Sequence, residues 1–186
     1  MKISVGISNR HVHLSYDDYK ILFGDIELEK KVDLKQPGMF ASTKTVTIKG
    51  PKNFISNVRV LGPNRDYTQV EVSRTDSFTL GLTPPIRTSG DLEGASSITI
   101  IGPKGEVTRA SCIIANRHIH VNEKIRNEYG LVGIDEVKLR VNTIKGGILE
   151  NVYLKDSEEA FFEVHLDLDD ANAFFLNNND EVELIK

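Results

Sequence analysis

One pattern occurs twice: Asn9-Arg10-His11-Val12-His13 and Asn116-Arg117-His118-Ile119-His120, with His118 standing 107 positions after His11. The chain has five histidines, and these two motifs hold four of them. The fifth is His165, in Phe162-Glu163-Val164-His165. A duplicated His-x-His constrains the fold strongly. On a β-strand, side chains alternate with period two, so both imidazoles of each motif share one face while the residue between them faces the core. Two such strands, built by one internal repeat, predict two similar β-rich halves.

The repeat continues downstream. Asn57-Val58-Arg59-Val60-Leu61 matches Asn151-Val152-Tyr153-Leu154-Lys155 at an offset of 94. Carried forward without a gap, the same offset sets Glu71 opposite His165. The shorter offset implies an insertion in the first copy, near Gln36 to Ala41. Each half then owns a His-x-His and a third residue that can bind metal. The period is too long for a solenoid unit and reads as duplicated domains.

Helices are expected to be few and short. Ser15 and Asn122 cap segments Tyr16 to Phe23 and Glu123 to Tyr129, which Gly24 and Gly130 stop. Shorter helices are expected near Thr75 to Leu80 and Asp169 to Leu176. Most of the remainder alternates or is β-branched, as in 46–48, 58–60, 97–101, 137–141 and 160–164. Gly50-Pro51, Gly62-Pro63, Gly102-Pro103 and Gly146-Gly147 mark turns. These signals predict a mainly β chain with short helices: two repeated small β-barrels, 1–90 and 91–186, each with one His-x-His half-site. Strands could be exchanged between the halves, and the link is expected near Gly90 to Gly105.

The bulk properties exclude some classes. A net charge of −4 gives no global attraction to nucleic acid or anionic membrane. No apolar run approaches the roughly 18 residues of a membrane span. The first residues run straight into the first motif without a signal-peptide core. A single cysteine, Cys112, rules out an intrachain disulfide and fits a reducing compartment. Its apolar surroundings predict a buried small hydrophobe rather than a nucleophile.

Three protein ligands with an open position is the pattern of catalytic zinc, whereas structural zinc is usually closed by four. The expected triads are His11, His13, Glu71 and His118, His120, His165. Nitrogen and carboxylate donors suit zinc best, with cobalt, nickel and iron as other fits. The second triad holds no anionic ligand, which would favour an anionic substrate. Arg10 and Arg117 should face away from the ligands and form ion pairs. Arg65, six residues before Glu71, is either a solvated turn residue beside Asp66 or a fork that grips phosphate or carboxylate. Two other classes fit a His-x-His protein. A binuclear hydrolase usually adds a bridging acid near the motif, where this chain has Leu14-Ser15 and Val121-Asn122. A non-catalytic metal module would have closed sites.

Several blocks together resemble the phosphate propanoyltransferase family, zinc-dependent phosphotransacylases. They are Ser8 to Ser15, Gln36-Pro37-Gly38 with Phe40-Ala41, Val60-Leu61-Gly62-Pro63, Pro85 to Asp91, and Asn116 to His120. The resemblance runs from Val5 to the C-terminus. It implies paired β-barrel domains packed around a shared two-metal site, with two zinc ions per chain. It also implies reversible transfer of a propanoyl or acetyl group between coenzyme A and inorganic phosphate, with a place in propanediol degradation. The family's metal ligands fall on the two triads above, and its phosphate-contacting arginine falls on Arg65. Its coenzyme A contacts fall on Ser8, Arg59, Leu61 and Asn172, with His165 close by. A homodimer is implied, with no nucleic-acid or membrane partner. Members targeted to microcompartments often carry an N-terminal amphipathic extension. None is seen here, so the expected location is cytoplasmic. Met39 departs from the polar residue expected before Phe40, at a place that bears on acyl preference.

Overall fold

A computed structural model describes residues 1–158 and 160–186. Along the chain come β1 (Lys2–Ser8), β2 (His11–Ser15), α1 (Tyr16–Phe23), β3 (Lys30–Asp33), β4 (Phe40–Lys49), β5 (Phe54–Arg65) and β6 (Gln69–Glu71). Next are α2 (Arg74–Leu80), β7 (Ile86–Arg87), β8 (Ser96–Ile101), β9 (Glu106–Ala115), β10 (His118–Val121) and α3 (Glu123–Tyr129). The chain ends with β11 (Glu136–Val141), β12 (Gly147–Asp156), β13 (Glu163–Asp167), α4 (Leu168–Ala173) and β14 (Glu181–Ile185). Helices α1 and α3 coincide with the expected segments. Their caps Ser15 and Asn122 accept from the backbone N–H three residues on. Helix α4 ends at Ala173, short of the expected Leu176, with Phe174 as its C-cap.

Two closed barrels result. One runs β1-β13-β10-β12-β11-β14. The other closes through β4-β5-β2-β6-β9-β8 and back to β4. Each pairing in one has a counterpart of the same sense in the other. For example, β2 lies parallel to β5 and antiparallel to β6, as β10 lies parallel to β12 and antiparallel to β13. Even the irregularities repeat. Asn57 and Asn151 both take positive φ, 59° and 57°, beside register shifts in β5 and β12. Asparagine tolerates this left-handed conformation better than other residues with a Cβ.

The compact units are Met1–Asn9 with Asn116–Lys186, and Arg10–Ala115. They differ from the consecutive segments 1–90 and 91–186 for a topological reason. From each His-x-His strand onward, the chain supplies five strands of a barrel. The sixth is the strand just before the other motif: β9 closes the barrel of β2, and β1 closes that of β10. Residues 90–105, expected as a link, therefore contain β8, a barrel member. The insertion in the first copy is the β3–β4 hairpin edge, where β3 pairs with β4 outside the closed ring. Gly62-Pro63 is not the expected turn. Its peptide bond is cis, and β5 continues through it to Arg65.

Strand alternation separates core from site. Val12 and Leu14 are fully buried in one core, and Ile119 and Val121 in the other. The histidines between them lie on the opposite strand face. No described helix is long and apolar enough to cross a membrane.

Candidate metal centres

The registers place the third candidate ligands, Glu71 and His165, where the repeat predicts. His11 pairs with Glu71 across β2–β6, and His118 pairs with His165 across β10–β13. Strands that share a register position point neighbouring side chains to one face, so each third residue joins its His-x-His. In each triad, one donor atom per residue lies within 4.8 Å of the other two. The rings of His118, His120 and His165 stand 4.9 to 5.1 Å apart, centre to centre. In the other unit His11 and His13 are 5.0 Å apart, and His11 Nε2 lies 3.4 Å from Glu71 Oε2.

The protonation pattern fits a cation. His118 Nδ1 lies 2.9 Å from the Asn116 carbonyl, which can only accept, so the proton sits on Nδ1 and the Nε2 lone pair is left for a ligand role. Buried His120 offers an Nδ1 that makes no hydrogen bond among the described residues. Burial, then electrostatic coupling to His118 and Lys155, lowers the His120 pKa to about 4. It is therefore neutral at physiological pH, as metal binding requires. The donor sets, three imidazoles in one unit and two imidazoles with a carboxylate in the other, suit zinc and have the three-ligand form of catalytic sites.

Side chains around the Glu71 triad hold it in place. Gln69 is fully buried, and its Nε2 donates to Glu71 Oε1 at 2.6 Å and to Ser89 Oγ at 2.8 Å. Its Oε1 accepts from the Gly90 N–H at 2.8 Å. One Glu71 oxygen is thus engaged, while the other faces His11. Arg65 joins the same network. Its Nη1 donates to Tyr67 Oη at 3.1 Å and reaches Ser89 Oγ at 3.5 Å, with the guanidinium 5.6 Å from the Tyr67 ring centre. A chain of contacts therefore runs from Arg65 through Ser89 and Gln69 to Glu71. Gln69 was missed in the sequence, although it sits two residues before Glu71 on the same strand face.

Arg10 and Arg117 form the expected ion pairs: the arginines stand 107 positions apart, like the histidine motifs, and their partners Asp76 and Asp170 stand 94 apart. Arg10 grips Asp76 at 2.8 Å, and Arg117 grips Asp170 at 2.7 Å. Each aspartate sits in the first turn of the helix after the third ligand, where Ser73 and Asp167 act as caps. Each salt bridge ties the start of a His-x-His strand to the segment that follows the third residue of its triad. The sequence signal was present: Asp76 falls on Asp170 in the ungapped alignment.

The residues matched to coenzyme A are divided between the units. Arg59 and Leu61 stand on β5 opposite His11 and His13, and Arg59 Nη1 donates to the Ser42 and Thr43 carbonyls at 3.0 and 3.2 Å. In the other unit Ser8 ends β1, two residues past Gly6, the register partner of His165, and Asn172 is exposed on α4. Cys112 is fully buried, and burial pushes its thiol pKa up to about 12. Native protein at pH 8 is expected to resist alkylation by iodoacetamide, with full labelling only after denaturation. Rapid native labelling, followed by mass spectrometry, would contradict this placement.

Residues 4–177 match the family model for phosphate propanoyltransferase. The chain is similar to the phosphate propanoyltransferase of Thermotoga maritima, 49% identical across 99% of this chain and 89% of that protein. It is also similar to that of Rhodopseudomonas palustris, 47% identical across 100% of this chain and 83% of that protein. A more distant relative in Levilactobacillus brevis is 39% identical over 100% of this chain and 89% of its own length.

Proposed function

Since the chain belongs to the phosphate propanoyltransferase family, a family of acyltransferases, we propose that it moves a propanoyl or acetyl group reversibly between coenzyme A and inorganic phosphate at two zinc-binding triads. The observation that carries this reading is the repeated triad. In a chain of this family, two sets of ligand-type side chains converge at equivalent registers. His11, His13 and Glu71 would hold one zinc ion, and His118, His120 and His165 the other. Zinc bound there would supply Lewis acidity toward a thiol sulfur or a phosphate oxygen.

The chain's own groups account for the rest. A phosphate oxygen attacks the thioester carbonyl carbon. The C–S bond breaks, and sulfur leaves with the electron pair as coenzyme A thiolate. Arg65 grips the attacking phosphate with a planar fork that holds two oxygens at once. Tyr67 and Ser89 fix that fork, so attack starts from a positioned nucleophile rather than from a random encounter. The same guanidinium can offset negative charge that develops on the carbonyl oxygen. Gln69 restrains Glu71 through one oxygen, which leaves the other for the ion. Arg59, anchored on β4 carbonyls, adds positive charge suited to the phosphates of coenzyme A. No acyl-enzyme is required. Cys112 is too deeply buried to serve as a nucleophile.

The reading is tested by free thiol release from propanoyl-CoA with and without inorganic phosphate. Release that depends on phosphate supports acyl transfer. Equal release without phosphate would mean hydrolysis, and no release would leave a metal-binding module.

A further inference from the structure

The offset that carries Glu71 onto His165 also carries Gln69 onto Glu163. Both residues are buried: Gln69 is 0% exposed and Glu163 3%. Both precede the third ligand by two positions on the same strand face, and both approach it. Gln69 donates to Glu71, while Glu163 Oε1 lies 3.8 Å from His165 Nε2. The chemistry is swapped between the units. A carboxylate ligand is backed by an amide, and an imidazole ligand is backed by a carboxylate.

The fold makes room for this carboxylate. On β1, Ser4 is the register partner of Glu163, and its Oγ donates to Glu163 Oε2 at 3.4 Å. Gly6 is the register partner of His165, and a Cβ at Gly6 would collide with Glu163 Oε1. A carboxylate buried this close to the triad is screened little by water, so its charge would act strongly on a divalent ion held there.

We infer that Glu163 is a positioning and charge-balancing residue for the all-histidine triad. Beside His165 it supplies the single negative charge that Glu71 supplies directly in the other unit. The triad His118, His120 and His165 is then not anion-free, as its ligands alone suggest. Its ion would be held more tightly and would present less net positive charge. The inference rests on reading the triads as metal sites.

Zinc affinity tests it without reference to turnover. In a His11→Ala parent one complete triad remains, and competition with a chromophoric chelator measures its affinity for zinc ion alone. Glu163→Gln keeps the shape and the Ser4 contact but removes the charge. It should weaken zinc binding by about 10-fold or more, the scale seen when partners of metal ligands are lost. Glu163→Asp, shorter but charged, should bind more tightly than Glu163→Gln. The melting temperature of the metal-free protein should not fall in Glu163→Gln, which separates a charge effect from lost packing. Unchanged zinc affinity in Glu163→Gln, or Glu163→Asp no tighter than Glu163→Gln, would overturn the inference. A His11→Ala parent that binds no zinc at all would overturn the metal reading itself, a result visible before the second substitution is made.

Discussion

Arg65→Ala is expected to lower phosphate-dependent turnover by about 100- to 1000-fold, the scale of removing one preorganised charge stabiliser. The reason lies in how the side chain is held. Arg65 is half-buried, its Nη1 tethered to Tyr67 and Ser89 and its guanidinium beside the Tyr67 ring. A solvated turn arginine would show none of this restraint. Arg65→Lys should recover little, because a point charge cannot hold two phosphate oxygens in one plane. Metal content should stay at the wild-type level, since Gln69 rather than Arg65 bonds Glu71 directly. Unchanged kinetics in Arg65→Ala would return the residue to the role of a surface arginine. Lost metal would mark it as a structural support of the Glu71 triad.

His118→Ala should reduce bound metal from about two equivalents per chain to about one and remove most activity. It leaves His120 and His165, one ligand fewer than the three found in catalytic zinc sites. His118 is also the imidazole whose tautomer is set by the Asn116 carbonyl, so its lone pair is directed before any ion arrives. Elemental analysis of the purified variant, alongside its kinetics, checks both parts. Full metal content in His118→Ala, or full activity in metal-free wild type, would remove this triad from the function.

Much of the site was legible in the sequence because strands translate spacing into direction. His-x-His on one face, and an ungapped offset that sets Glu71 against His165, are statements about register, and the structure has those registers. Helix caps are equally local, and Ser15 and Asn122 act where they were read. What escaped depends on distant partners. Nothing within Glu106–Ala115 says that it closes the barrel of β2, because an apolar strand fits any open edge. Gly62-Pro63 has turn chemistry, yet the two residues lie inside β5. Glu163 was hidden for a similar reason. In Phe162-Glu163-Val164 it looks like the solvent-facing half of an alternation, and only its burial beside Gly6 and Ser4 of β1, a strand distant in sequence, shows that the carboxylate is enclosed.

The central claim is that phosphate itself receives the acyl group. It is tested most directly by following propanoyl-CoA and inorganic phosphate with 31P NMR while free thiol is counted in the same tube. An acyl phosphate resonance is expected to grow in step with thiol, mole for mole, with neither product formed when phosphate is left out. Thiol release with free propanoate and no acyl phosphate would contradict it and make the protein a thioester hydrolase.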